Sequence, residues 1–398
     1  MPAARKKFSL LLVLLTLFSC SSTSDTSFLV SRPPGGGGTS FDLNFLDRKQ
    51  WNWQKSFNVE TQFFNLQVDS FTFSIEAPAY GGSLERIGEE IFVARADGTF
   101  ILVDPETGRF KENFIPRLNL GSNSIVDSKN LKQQETLPRV HDTILVENTI
   151  YVTHDFYDQV SDCVFFAVST IDGSLGSWIR IFQSEPFCGP VYTLGSGGAL
   201  AANGGEFLYF SVGTFGREDE AQDRSNTWGK IYELEISSLK FRQFSIGHRN
   251  PKGLVFFEKS LYSSEMGPRG GDEINIVEAS LNYGWPLESK GTAYGTFDRN
   301  TTLSTTSSAS MKPPIFSFVP SIAPTQMIEI QNFDSSWNSQ LLMGSLKAES
   351  LFVVDLENNH VVSVEQIFFG SRIRSLLEFK SKIYLWTDDN AILMLTKT

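Results

Sequence analysis

The chain has 398 residues, a net charge of −11 and a hydrophobic fraction of 41% that includes 34 Phe. This composition excludes overall disorder, and the acidic balance without a basic stripe excludes a direct nucleic-acid role, which needs clustered Lys and Arg against phosphate. The length is large for one ordinary domain but normal for a single β unit that grows by repetition.

At the N-terminus, Arg5, Lys6 and Lys7 precede an apolar run from Phe8 to Phe18 that is too short to cross a bilayer as a stable helix. Leu17-Phe18-Ser19-Cys20 then resembles a lipobox, although Phe18 is bulkier than that position prefers. Residues 1–20 are therefore expected to be a signal peptide, and a lipidated Cys20 would anchor the mature chain to a membrane face. The implied location is the bacterial periplasm or outer membrane. Residues 21–55, with Pro33-Pro34 and Gly35 to Gly38, read as a flexible tether and lead-in, and residues 56–398 as one folded domain. Export leaves Cys163 and Cys188 where a disulfide is permitted. One lipid cysteine plus one pair accounts for all three cysteines, so that bond is expected over two buried free thiols.

From about residue 85 onward, short apolar runs alternate with Gly, Asp and Asn turn signals, and no stretch keeps a helical period. The runs recur as units: 91–104, 143–174, 206–236, 253–278, 340–362 and 376–395. Six units predict an all-β, six-bladed β-propeller rather than a pair of β-sandwiches. The last unit is short of strands, so an N-terminal strand from residues 56–80 is expected to complete it and remove an exposed sheet edge.

Two segments carry the chemistry. Gly247 to Leu254 reads GHRNPKGL and sets a guanidinium, Arg249, beside a carboxamide, Asn250, before a proline-fixed turn. That pair suits a flat ligand bearing carboxylates. Ser263 to Pro286 contains Gly267-Pro268 among further glycines, where backbone carbonyls can turn toward a hard cation such as calcium. Taken singly, each could be a loop whose Gly and Pro serve only turn geometry. Together they resemble the signature of the soluble PQQ-dependent aldose/glucose (sorbosone-type) dehydrogenases. PSIAPTQM (320–327), Gly344 to Lys347, Ser371 to Arg374, GGAL (197–200), LYFSVG (208–213) and WGKIYEL (228–234) extend the likeness to roughly residues 85–395.

The resemblance implies PQQ lying flat over the propeller axis. By position, Arg249 and Asn250 would meet its polar edge, and Lys347, Arg372 and Arg374 its carboxylates. Carbonyls of Gly267 and Pro268 would hold a Ca2+ ion that polarises the quinone, and Glu273 with main chain near Tyr283 a second, structural one. The substrate would be a sugar or another small hydroxyl compound. In the family, a histidine held by an aspartate takes the hydroxyl proton. Here the corresponding positions read Gly195 and Thr214, and Met266 stands where His or Gln usually precedes the Gly-Pro step. Among the four histidines, His248 belongs to the GHRNP turn and His360 to an outer turn, whereas His141 and His154 flank a strand that could reach the axis. Asp142 and Asp155 are weaker substitutes unless burial raises their pKa values. The alternative reading is a non-catalytic envelope propeller that binds a sugar, a glycan or a protein partner.

Overall fold

A computed structural model describes residues 48–73, 80–121, 138–173, 176–188, 195–292 and 310–398. The expected signal peptide with Cys20, most of the expected tether and part of the loop following Ser289 lie outside the described residues. Among the described residues the regular elements are strands, apart from one short 3-10 turn at Glu218–Gln222.

Six antiparallel sheets of four or five strands form the blades of a propeller. Their inner strands are Gly82–Ile87, Val140–Val146, Gly197–Asn203, Pro251–Phe257, Pro324–Glu329 and Ile373–Phe379. Each packs against the next around the axis, and the sixth returns to the first. The middle strands are apolar on both faces because each blade is covered by two neighbours. Ile383, Tyr384, Leu385 and Trp386, for example, are all fully buried.

The ring closes as the sequence predicts. Asn65–Thr72 pairs with the C-terminal strand Ala391–Lys397 in antiparallel register from Ala391↔Thr72 to Lys397↔Leu66. Outside it lies Asn52–Glu60, exposed over its first five residues and turning Phe57 and Val59 half-buried onto the core. Strand pairing occurs before residue 56: Lys49–Gln50 pairs with Arg109–Glu112 on the first blade, and Trp51 is buried against Phe71.

Cys163 and Cys188 are bonded, joining the directly paired strands Cys163–Asp172 and Phe187–Cys188 of the second blade. The bridge closes a loop of 25 residues. Chain-entropy arguments assign such a crosslink about 3 kcal/mol. Cys188→Ser is expected to lower the melting temperature by roughly 4–6 °C, and reduction of the native chain should reproduce that loss in a calorimetric scan. An unchanged melting temperature would show the bond to be absent or energetically idle.

Candidate functional site

In each blade the chain enters on the inner strand and runs outward by hairpins. The link between second and third strands and the link to the next blade therefore open on the same end as the starts of the inner strands. Most of the chemistry-bearing residues named from the sequence fall in these positions, whereas Glu273 lies within a third strand and Tyr283 beyond it. Gly195, Arg249 with Asn250, and Arg372 lie just before inner strands, while Thr214, Gly267 with Pro268, and Lys347 follow second strands. Five of the six inner strands also carry a register shift within their first residues, which turns side chains such as His141, Lys252 and Thr325 out of the regular ladder.

The side of the site at blades three and four is bound into one network. The Asn250 side chain accepts from Gly197 N at 3.0 Å, and Thr214 N donates to Arg249 O at 2.9 Å. The Glu265 carboxylate receives the backbone N–H groups of Arg249 and Asn250 and contacts His248 Nδ1 at 3.0 Å. His248 also meets Ser245 at 2.8 Å and stacks on Tyr283, so it is structural, as read from the sequence. The Arg249 guanidinium donates to the carbonyls of Met266 at 3.1 Å and Gly267 at 2.9 Å and lies over the Trp285 ring. Met266 touches Asn250 through its sulfur.

Gly195 and Thr214 are adjacent: the Phe215 N–H donates to Gly195 O at 3.2 Å. A Cβ at Gly195 would meet only Phe215 backbone at 3.6 Å, an ordinary contact, so the position has room for a side chain. Thr214 Oγ1 donates to Glu218 Oε2 at 2.9 Å, and Trp285 Nε1 reaches the same oxygen. A hydroxyl bound to a carboxylate thus occupies the place expected for a supporting aspartate.

Across the axis, Arg372 and Arg374 both pair with buried Asp388, a partner that the sequence reading missed within an apparent Asp388-Asp389-Asn390 turn. Arg372 also reaches Leu346 O at 3.4 Å, beside exposed Lys347. Between the two sides lies an axial cavity lined by Arg139, His141, Asp142, Lys252, Thr325 and Arg374. Lys252 Nζ donates to Gly197 O at 2.6 Å, and burial lowers its pKa. Burial likewise raises the Asp142 carboxyl to about 7 although the N–H groups of Leu200 and Thr143 stabilise its charge. His141 Nε2 sits 2.9 Å from Asp155 Oδ2 and 2.9 Å from Ser196 Oγ. His154 instead turns into its own blade, toward Ser169 at 2.8 Å, and His360 is exposed on an outer strand.

The expected cation positions differ in character. Gly267 O already accepts from Arg249, and Pro268 O accepts from Ser321 Oγ at 3.1 Å. Glu273 lies directly across the strand pair from Glu265; burial, then the Glu265 charge, raises its pKa to about 8. Beside these carboxylates, Asn275 and Ser263 bury polar atoms that complete no well-formed hydrogen bond, the donor set a cation would organise. Tyr283 places its hydroxyl on Ile276 O at 2.6 Å. No cluster of three or more His, Cys, Asp or Glu suited to a metal occurs among the described residues.

The model of the family "Glucose / Sorbosone dehydrogenase" matches residues 139–395, more than half of the chain. The chain belongs to the glucose/sorbosone dehydrogenase family. Relatives within reach of this assignment include an aldose sugar dehydrogenase of Escherichia coli, 30% identical over 49% of this chain and 57% of its own length. A Synechocystis protein is 28% identical over 63% of this chain and 67% of its own length. The matched stretch thus spans little more than half of the first relative. Among solved structures, the apo-form of the E. coli soluble aldose sugar dehydrogenase superposes with a TM-score of 0.67 at 21% identity, covering 83% of this chain and 99% of that one. The PQQ-bound aldose sugar dehydrogenase of Streptomyces coelicolor gives 0.59 at 20% identity, covering 83% and 98%. These likenesses show that the glucose/sorbosone dehydrogenase propeller is the fold of this chain.

Proposed function

We propose that this chain is a PQQ- and calcium-dependent aldose dehydrogenase, acting on a sugar or similar hydroxyl substrate. The observation that carries the reading is the position of Arg249, Asn250, Lys347, Arg372 and Arg374 at the same end of their blades, with a cavity lined by Lys252 and Arg374 on the axis. Such a donor set fits a flat polyanion. Asp388 holds Arg372 and Arg374 by their Nε edges, a geometry that presets guanidiniums for planar carboxylates. PQQ, when bound, supplies the two-electron acceptor. Calcium fits the Glu273 position through the unsatisfied oxygens around it. At Gly267 and Pro268 it requires Arg249 to leave Gly267 O, as an incoming cofactor edge would draw it away. Export to the envelope belongs to the same proposal, on the strength of Arg5 to Lys7 and the apolar run after them.

A second reading, a binding propeller without chemistry, is favoured by Gly195 and by Thr214 on Glu218. Titration of apo protein with PQQ in calcium separates the two. At a hundredfold excess over Kd, binding to the folded state alone stabilises by about 2.7 kcal/mol, or roughly 4 °C in melting temperature for a chain of this size. A flat melting temperature at saturating PQQ would remove the cofactor and leave the binding propeller.

A further inference from the structure

The position where the family keeps its base is empty at Gly195, but an imidazole and a carboxylate stand together one blade earlier. His141 is the second residue of its inner strand, and Asp155 lies on the neighbouring strand, where Asp155 N donates to Arg139 O at 2.9 Å. His141 and Asp155 side chains are 6% and 0% exposed, in contact at 2.9 Å. The side chain is directed toward the site end of the axis, because its Nε2 also reaches Ser196, the residue directly after Gly195. Gly198 makes this approach possible: at φ +102° it has no Cβ, and one built there would lie 2.5 Å from His141 Cβ.

We propose that His141, held in orientation by Asp155, is the proton acceptor for the hydroxyl substrate, replacing the base absent at Gly195. The inference rests on the PQQ-dependent reading above. Nε2 makes its hydrogen bond with Ser196 Oγ at 2.9 Å, and Asp155 Oδ2 lies 2.9 Å from the same nitrogen. With the ring proton on Nε2, the basic lone pair is on Nδ1 of a residue that lines the cavity. The substrate O–H bond breaks and its proton passes to Nδ1. The C=O bond forms as the carbon-bound hydrogen leaves with its electron pair to a quinone oxidant. Burial first, then the facing charges of Lys252, Arg139, His154 and Arg374, disfavour the imidazolium, so the ring is in its basic form before substrate arrives. Asp155 acts through His141 as a positioning residue.

Two measurements test this. The chain has four histidines, so ring-nitrogen NMR of the PQQ-free protein can resolve each tautomer. His141 is expected as neutral Nε2–H near pH 7, with Asp155→Asn mixing the tautomers. A neutral Nδ1–H form or a stable imidazolium would overturn the proposal without reference to turnover. In the PQQ-loaded protein, His141→Gln is expected to lower kcat by about 10²–10⁴ while the PQQ-induced melting shift persists. Adding Gly195→His with Thr214→Asp to His141→Gln should then recover at least tenfold, which repair of a purely structural defect would not do. Equal turnover of wild type and His141→Gln, or a wild type that loads PQQ but oxidises no aldose, sinks this assignment and leaves the cofactor site standing. Absence of any PQQ melting shift in wild type removes both.

Discussion

Deletion of residues 48–72 is expected to leave the chain unable to fold, because those residues finish the sixth blade and seal its seam with the fifth. Asn65–Thr72 supplies the fourth strand of a sheet that otherwise ends at Ala391–Lys397. Leu66 and Val68 on that strand are fully buried against Leu393 and Leu395 of their own blade and share a cluster with Leu342 and Leu351 of the fifth. Removing the strand exposes that cluster and a seven-residue ladder edge together. The combined loss is comparable with the roughly 5–15 kcal/mol that separates most folded domains from unfolding. A milder form of the prediction uses Leu66→Ala, expected to cost about 2–5 kcal/mol by transfer and cavity terms. Far-UV circular dichroism of the deletion and denaturant melts of Leu66→Ala check both. A cooperative native-like transition in the deleted chain would mean that five complete blades and a three-stranded sixth suffice.

The same strand shows what sequence can and cannot reveal here. A closing strand between 56 and 80 was legible because the last repeat lacked a partner, and Asn65–Thr72 alternates buried and half-buried residues. Its outer neighbour, Asn52–Glu60, carries only a fragment of such a pattern, Phe57 and Val59 half-buried against the same cluster, while its first five residues face solvent. At the site, Arg249, Asn250 and the Gly-Pro step stand out as loop motifs in the sequence, but singly each reads as turn geometry, and only the family resemblance gives them roles. The convergence of His141 with Asp155 could not be read at all. It depends on the register Val140↔His154 between adjacent strands and on a bulge just after Val140, neither of which has a local signal. The loop from Thr214 to Thr227 has no local signal for its anchoring either. Its anchor is Lys230, a buried cation whose Nζ donates to Glu220 O at 3.0 Å and Ala221 O at 3.2 Å. A lysine in a strand ordinarily reads as a solvated residue, and only the folded loop supplies the carbonyls that enclose it.

Asp388→Asn is expected to weaken both the fold and the cofactor site, since one carboxylate holds two guanidiniums. Asp388 and Arg374 are nearly buried, at 4% and 11% side-chain exposure, while Arg372 is partly open at 40%. Removing the charge leaves Arg374 without its counter-ion in a cavity already lined by Arg139 and Lys252. Breaking a buried pair on one side costs about 3–5 kcal/mol, and the asparagine keeps part of the hydrogen bonding, so the lower end applies. The pH dependence follows from the direction of the shift. Burial alone would raise the Asp388 pKa, but Arg374 and Arg372 outweigh it and hold it below the usual aspartate value. A depressed folded pKa contributes stability that is fully present above the unfolded value of about 3.9 and disappears as pH falls through the folded one. Wild type should therefore lose this increment on acidification, and Asp388→Asn should show a flatter acid limb from a lower plateau. For ligand binding, the freed guanidiniums lose the orientation that presents them to planar carboxylates, and PQQ affinity is expected to fall at least tenfold. Melts from pH 3 to 8 with and without PQQ measure both effects. If stability falls while PQQ affinity stays at the wild-type value, Asp388 serves the sixth blade alone, and the cofactor's carboxylates must be held by Lys347 and Arg249 instead.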